Sequence, residues 1–232
     1  MKGLVLSITA GQGHNQTAMV ISKRFNECGV ECKYLDVYKF INPILSDSVN
    51  KIYLMSTKAI PKIYGGVYRM CEKRGVQSGA GIHGLNRITN SVLSRSLIKL
   101  IQKEKPDFII CTHIFAALLV TYISSIEHLN AKTIGVITDF TIHPYWEDSL
   151  LDYYIIANER LTIQGIKKGF PENKFLPLGI PIGTKFSRKI EKSKAKEILN
   201  LHSKHTILVM SGSMGFGAVY KAVSYTHLTL PT

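Results

Sequence analysis

The first 37 residues show the pattern strand, glycine-containing turn, helix and strand. Residues 3–8 are mostly apolar, and Gly11-Gln12-Gly13-His14 follows them as a predicted tight turn. Apolar or small residues then recur at helical spacing up to Gly29, and residues 30–37 predict a second strand. A β-α-β unit of this kind joins parallel strands, and a parallel sheet needs helices on both faces. The pattern therefore predicts an α/β fold with a Rossmann-like parallel sheet flanked by helices.

The rest of the chain continues this alternation. Further strands are predicted at 106–112, 133–138 and 153–157, with helices over 116–126 and from 158 to about 168. Residues 175–182 are predicted to be extended, because prolines hold the preceding residues out of a helix. The stretch 40–105 is predicted to be mostly helical, and a lysine-rich helix is expected over 189–199.

A second unit is expected to begin near residue 205. Residues 206–211 predict a strand that leads into a glycine-rich turn, which would open a new strand–turn–helix unit. We therefore predict a first domain over 1–204 and the start of a truncated second domain over 205–221. Residues 222–232 do not continue the expected helix, and we interpret them as a foreign tail.

The composition is that of a globular protein. Of the 232 residues, 45% are hydrophobic and 19% are charged, which argues against a disordered chain. The sequence has no apolar run long enough for a transmembrane helix or a signal peptide. Its four cysteines form no C-x-x-C pair, so we expect a reduced, cytoplasmic chain without a metal site.

The charge is strongly basic and unevenly distributed. The net charge is +13, and residues 51–105 hold 11 basic residues against 2 acidic ones. A basic surface can meet nucleic acid, anionic lipid or a phosphorylated substrate, and charge does not choose among them. No nucleic-acid-binding module is apparent, so nucleic acid is not an expected partner.

The glycine-rich turn is the first candidate site. Gly11 and Gly13 would let a ligand approach the backbone closely and would permit a positive φ. The helix that follows would direct its free N–H groups at a phosphate, with Gln12 beside it. His14 stands at that point and could accept a proton from a hydroxyl, or could simply be a polar residue that caps the helix. The spacing is neither that of a dinucleotide-binding fingerprint nor that of a P-loop.

Polar residues also follow two later strands. His113 and Asp139 come at predicted carboxyl ends, where ligands gather in open α/β sheets. Asp139 begins a block that also holds His143 and Trp146, the only tryptophan. Each has an alternative structural role: Asp139 could cap the next turn, and Trp146 could pack in the core.

Residues 51–74 mix apolar and aromatic side chains with six basic residues and one acidic residue. Such a mixture is typical of a segment that lies on an anionic membrane surface. An ordinary amphipathic helix with a solvated basic face explains the same pattern.

Four motifs in a fixed order carry a resemblance. They are Ser7-Ile8-Thr9-Ala10-Gly11-Gln12-Gly13-His14, Thr138-Asp139-Phe140 with Trp146, Gly179-Ile180-Pro181-Ile182, and Met210-Ser211-Gly212-Ser213-Met214-Gly215. Over about residues 3–221 the chain resembles the monogalactosyldiacylglycerol synthase and processive diacylglycerol glucosyltransferase family. The resemblance implies the N-terminal half of a GT-B glycosyltransferase, whose two Rossmann-like domains face each other across a cleft.

The resemblance also implies a reaction and roles. A hexose would pass with inversion from UDP-glucose or UDP-galactose to diacylglycerol, without a metal in the transfer step and without a cofactor. His14 would be the candidate general base, or would help to position the acceptor and the diphosphate, and Asp139 would support the acceptor site. The acceptor and phosphate would meet further residues, namely Gly11, Gln12, Gly13, His113, His143 and Trp146. Part of the donor site would come from Ser211, Gly212, Ser213 and Gly215.

The implied location is the inner face of the cell membrane, where a cytoplasmic enzyme would meet diacylglycerol and anionic lipid as a peripheral protein. Because most of the donor domain is absent, we expect this chain alone to be inactive. Two alternatives stay open. One is a non-catalytic module that binds membrane lipid, and the other is an N-acetylglucosaminyltransferase that acts on a lipid-linked peptidoglycan precursor.

Overall fold

The computed structural model describes residues 1–9, 12–43, 93–201 and 205–210. The chain divides into two compact units, residues 1–182 and residues 183–232. The first unit holds a parallel sheet and the helices that cover it, and the candidate site residues within the described part of the chain all belong to this unit. The predicted domain boundary at 204/205 stays a prediction.

Six parallel strands form the sheet. They are β1 (Lys2–Ser7), β2 (Glu31–Asp36), β3 (Phe108–Cys111), β4 (Lys132–Val136), β5 (Tyr153–Ile155) and β6 (Phe175–Leu176). Their order across the sheet is β2-β1-β3-β4-β5-β6, so β1 lies between β2 and β3, and β3 lies between β1 and β4. The predicted Rossmann-like parallel sheet flanked by helices is confirmed.

Helices connect and cover these strands. They are α1 (Gln12–Glu27), α2 (Val37–Ile41), α3 (helical over 93–104), α4 (Ile114–Ile126) and α5 (Glu159–Lys167). A sixth helix, α6 (Lys192–Ile198), belongs to the second unit. No helix in the described ranges has both the length and the hydropathy that a membrane span needs. Of the stretch 40–105, residues 44–92 lie outside the described residues, and with them the basic segment 51–74.

The two faces of the sheet bury different parts of the sequence. On one face Val5 packs with Ala18 and Ile21 of α1. On the other face Leu4 and Leu6 pack with residues of α3 and α4, including Leu97. This follows from strand geometry, because successive side chains of β1 point to opposite faces. Burial on both faces explains why the strands read as nearly continuous apolar runs.

Helix α1 ends where the sequence predicts it. Gly29 has φ of +79°, a left-handed conformation that glycine adopts without steric cost. The Gly29 N–H donates to the Asn26 carbonyl at 3.0 Å, and the Val30 N–H donates to the Phe25 carbonyl at 2.9 Å. These two bonds form a Schellman motif, which turns the chain sharply from α1 into β2.

Two local predictions are wrong. The tight turn expected at 11–14 does not extend over 12–14, because α1 begins at Gln12, and Gly13 is helical rather than at positive φ. Residues 206–210 form no strand, and Ile207 and Leu208 are almost fully exposed. A parallel strand needs paired neighbours and covering helices, and among the described residues this segment has neither.

Candidate functional site

The carboxyl edge of the sheet brings three distant segments together at His14. This residue lies in the first turn of α1, directly after β1. Its Nδ1 lies 2.8 Å from the backbone carbonyl oxygen of Thr112, just beyond β3, and 2.8 Å from Oγ1 of Thr138, just beyond β4. Because β1, β3 and β4 are neighbouring strands or next neighbours, their carboxyl ends converge on one point.

The Thr112 carbonyl decides which nitrogen of His14 carries the proton. A carbonyl oxygen only accepts hydrogen bonds, so an Nδ1 at 2.8 Å from it must carry the hydrogen and donate. In the neutral ring, Nε2 then has the free lone pair. The ring is half-buried, and this arrangement gives it one anchored nitrogen and one basic nitrogen.

His113 adjoins His14 and has the opposite hydrogen-bond role. It caps α4, and its Nδ1 accepts the backbone N–H of Phe115 at 3.2 Å. A nitrogen that accepts cannot carry the hydrogen, so neutral His113 is protonated at Nε2. His113 is 7% exposed, so its position is fixed by packing as well as by the cap.

His143 is also a helix cap. Its Nδ1 accepts the backbone N–H of Tyr145 at 3.2 Å, at the start of the 3₁₀ helix Pro144–Asp148. Burial holds the pKa of His143 below its ordinary value, and nearby Lys168 lowers it further, whereas Asp139 and Glu147 oppose the shift. Neutral His143 is thereby favoured, as its capping hydrogen bond requires.

Asp139 and Phe140 project from the loop that follows Thr138. Both residues are exposed, and the Phe140 side chain is 78% accessible to solvent. An exposed carboxylate beside an exposed aromatic ring gives this loop a polar and an apolar contact group. The two residues directly follow a threonine that contacts His14, which places them near the same edge.

Trp146 lies in the core. It is 2% exposed, its ring meets that of Tyr154 edge to face, and its six-membered ring lies against Gly135 of β4. A Cβ on Gly135 would lie 2.9 Å from Trp146 Cζ3, so the glycine makes room for the indole. The structure therefore gives Trp146 the packing role that the sequence left open as an alternative.

The glycine-rich segment is partly described. Gln12 and Gly13 are exposed at the N-terminus of α1, and a Cβ on Gly13 would meet nothing within 4 Å. Gly11 lies outside the described residues, as do Ser211, Gly212, Ser213 and Gly215. Ser7, at the end of β1, has a buried hydroxyl with no hydrogen-bond partner among the described residues. By strand alternation it shares the sheet face of Val5, which α1 covers.

Sequence reasoning missed Thr112 and Thr138 as site residues. Thr138 belongs to a quoted motif, yet nothing local distinguishes it from any threonine at a strand end. The signal that could have identified Thr138 is its hydroxyl group at the carboxyl end of a predicted strand, directly before Asp139. The Thr112 contact uses a backbone carbonyl, for which the sequence carries no signal.

Metal-binding clusters and cavities away from His14 are the other candidate sites to consider among the described residues. Among the described residues, no group of three or more His, Cys, Asp or Glu is arranged to hold a metal ion. A half-open cavity lies at the amino edge of the sheet, between the end of α3 and the end of α4, with Ile101, Lys105 and His128 in its wall. It is at the opposite edge of the sheet from His14.

The comparisons with known proteins place the chain in a family of glycosyltransferases. Residues 14–182 match the family described as monogalactosyldiacylglycerol (MGDG) synthase. That match covers most of the chain, and the chain belongs to the monogalactosyldiacylglycerol synthase family.

Similar proteins agree with this assignment. The chain is 24% identical over 217 residues to an uncharacterized glycosyltransferase, YkoN, of Bacillus subtilis (strain 168), covering 93% of this chain and 55% of the relative. It is 25% identical over 235 aligned positions to the processive diacylglycerol beta-glucosyltransferase of Bacillus mycoides (strain KBAB4), covering 99% and 58%. The chain thus spans a little over half the length of these relatives.

A solved structure also matches part of the chain. It is the apo form of the lipopolysaccharide outer core galactosyltransferase WaaB, with a TM-score of 0.45 and 15% identity over 76% of this chain and 44% of that one.

Proposed function

We propose that the full-length protein transfers a hexose from a UDP-sugar to diacylglycerol with inversion at the anomeric carbon, and that this chain supplies the N-terminal half of a GT-B enzyme. Family membership and the relatives named as diacylglycerol glucosyltransferases support the substrate pair. The anchored imidazole of His14 is the single observation that carries the mechanism.

In the proposed step His14 is the general base. Nε2 accepts the proton of the acceptor hydroxyl while that oxygen attacks the anomeric carbon. The bond from that carbon to the UDP oxygen breaks, and UDP leaves with the electron pair. The imidazolium that forms keeps its Nδ1–H on the Thr112 carbonyl, whose partial negative charge stabilises the new positive charge.

The phosphates of the donor would lie at the N-terminus of α1. Free backbone N–H groups and the positive end of the helix dipole favour an anion at Gln12 and Gly13, both of which are exposed. The buried Ser7 hydroxyl, which has no partner in the part of the chain that the structure describes, supports a ligand at this end of β1. Asp139 would bind the acceptor headgroup, and the exposed Phe140 ring would contact its apolar part.

The acceptor is a lipid, so we also propose a peripheral position on the inner face of the cell membrane. The net charge of +13 supports contact with anionic lipid. Each basic residue near such a surface contributes about 1 kcal/mol. Flotation with vesicles of phosphatidylglycerol, against vesicles of phosphatidylcholine alone, measures this preference. Equal binding to both would contradict the anionic-lipid proposal.

The test of the enzymatic proposal uses the full-length protein with UDP-glucose or UDP-galactose and diacylglycerol in mixed vesicles. We expect transfer from one of the two donors, and a loss of at least about 100-fold in kcat for His14→Ala, as for a lost acid–base group. His128→Ala, an exposed histidine at the amino edge of the sheet, is the matched control and should keep full activity. A loss of less than about tenfold in kcat for His14→Ala would mean that His14 has only a structural role.

A further inference from the structure

Thr138 makes a contact with His14 that its position in the sequence does not suggest. The two residues are 124 positions apart, and Thr138 Oγ1 lies 2.8 Å from His14 Nδ1. Thr138 is half-buried and follows β4 by two residues, so the strand holds its backbone in place. The contact therefore joins two elements that are each fixed by the sheet.

Two oxygens from different strand ends flank the same nitrogen. Thr112 presents a backbone carbonyl, and Thr138 presents a hydroxyl, each at 2.8 Å from Nδ1. The carbonyl requires the hydrogen to be on Nδ1, so the hydroxyl must act as a second acceptor of that N–H in a three-centre bond. The threonine hydrogen is then directed away from the ring.

We propose that Thr138 is a positioning residue for His14. The inference rests on the proposed function, since it assigns to His14 the role of base. If the Thr112 carbonyl were its one partner, the His14 ring could tilt around that single hydrogen bond. The second contact, from a different strand, fixes the ring plane and the direction in which Nε2 points.

Thr138 also contributes to the charged state of the ring. When His14 takes up a proton, Nδ1–H becomes a stronger donor, and both oxygens direct partial negative charge at it. The pair therefore performs with two neutral groups the orienting task that a carboxylate performs in hydrolase triads.

The first measurement is the tautomer of His14 in the full 232-residue chain with ¹⁵N-labelled histidine. We expect the unaltered chain to show one Nδ1–H tautomer for His14, assigned by the loss of its signals in His14→Gln. Thr138→Val keeps the shape of the side chain and removes the hydroxyl, and it should broaden or shift the His14 signals. Thr138→Ser restores the hydroxyl and should restore the signals. Thr121→Val, which removes a threonine acceptor on α4, is the control and should change nothing at His14.

The second measurement is turnover by the full-length protein. Thr138→Val should lower kcat by about three- to tenfold, the range expected for one lost neutral hydrogen bond, with KM unchanged for both substrates. Thr138→Ser should recover most of kcat. Thr138→Ala serves as a second variant if the valine variant does not fold, and it should behave in the same way.

The two proposals fail separately. Unchanged His14 signals in Thr138→Val, or a kcat loss that serine does not recover, would overturn the positioning role. Full activity of His14→Ala would overturn the proposed base, while the ¹⁵N spectra would still decide whether Thr138 holds the ring.

Discussion

The imidazole rings of His14 and His113 meet edge to face, with 4.7 Å between their centroids and 72° between their planes. His14 donates from Nδ1 to a carbonyl, whereas His113 accepts at Nδ1 from the Phe115 N–H. The two neutral rings are therefore opposite tautomers. His14 has its lone pair at Nε2, whereas the buried ring of His113 carries its hydrogen there.

His113 both packs against His14 and caps α4, and its capping role leads to the first prediction. His113→Ala removes the cap of α4 and should lower the free energy of unfolding by about 1 kcal/mol. His113→Asn keeps a side chain that can cap and should cost clearly less stability. Urea unfolding followed by circular dichroism measures both. Equal losses in the two variants would show that the cap contributes nothing.

Two glycines in the same unit lead to the second prediction. Gly135→Ala should lower the free energy of unfolding by about 1–3 kcal/mol, because the new Cβ would lie 2.9 Å from Trp146 and 3.0 Å from Tyr154 in the core. In Gly13→Ala the new Cβ would meet nothing within 4 Å, and the residue lies in a helix. The free energy of unfolding of this variant should therefore be unchanged or higher by up to about 1 kcal/mol.

The same Gly13 variant tests the phosphate site. If a phosphate approaches the backbone at Gly13, an added methyl group should raise the KM for the donor sugar nucleotide in the full-length protein, while the protein stays as stable as before. A donor KM equal to that of the unaltered protein would place the phosphate elsewhere.

The buried position of His143 leads to a prediction about pH. Its pKa is lower in the folded chain than the ordinary value of 6.5, because burial disfavours the charged ring. The unfolded chain therefore binds a proton below about pH 6.5 that the folded chain does not bind, and stability falls as the pH drops below that value. The loss grows until the pH reaches the folded-state pKa.

The measurement compares the unaltered chain with His143→Asn, which keeps a capping side chain but does not titrate. Urea unfolding at about pH 7.5 and about pH 5.5 should show a smaller loss of stability in the variant. All other ionisable groups are the same in both proteins, so the difference isolates His143. Identical losses would mean that His143 does not contribute to the pH dependence.

The order of strands and helices in the first unit could be predicted from the sequence. Most predicted ends lie within three residues of the observed ones, but the extended stretch predicted at 175–182 contains a strand only at Phe175–Leu176. Its apolar runs are continuous because both faces of the sheet are covered, and such runs mark strands strongly. The start of α1 was misplaced because a glycine pair is typical of a turn, whereas here Gln12 and Gly13 already belong to the helix. The predicted strand at 206–210 depends on neighbours that the local sequence does not contain.

The candidate site could be predicted only as a set of residues near one sheet edge. His14, His113, Asp139 and His143 were found because each is a polar residue near the end of a predicted strand or the start of a predicted helix. Their mutual contacts depend on which strands are neighbours and on how each ring is rotated, and the sequence fixes neither locally. The carbonyl of Thr112 and the hydroxyl of Thr138 are therefore findings of the structure.

The position of β1 between β2 and β3 has a consequence for synthesis on the ribosome. β2 follows β1 closely, but Gly3 pairs on its other side with Phe108, whose codon is translated about a hundred residues later. At about 5–20 residues per second, the second hydrogen-bonding edge of β1 waits for roughly 5–20 s before its partner emerges. During that interval the nascent chain presents an unpaired strand edge to which chaperones can bind, and the partners of His14 from β3 and β4 have not yet been made.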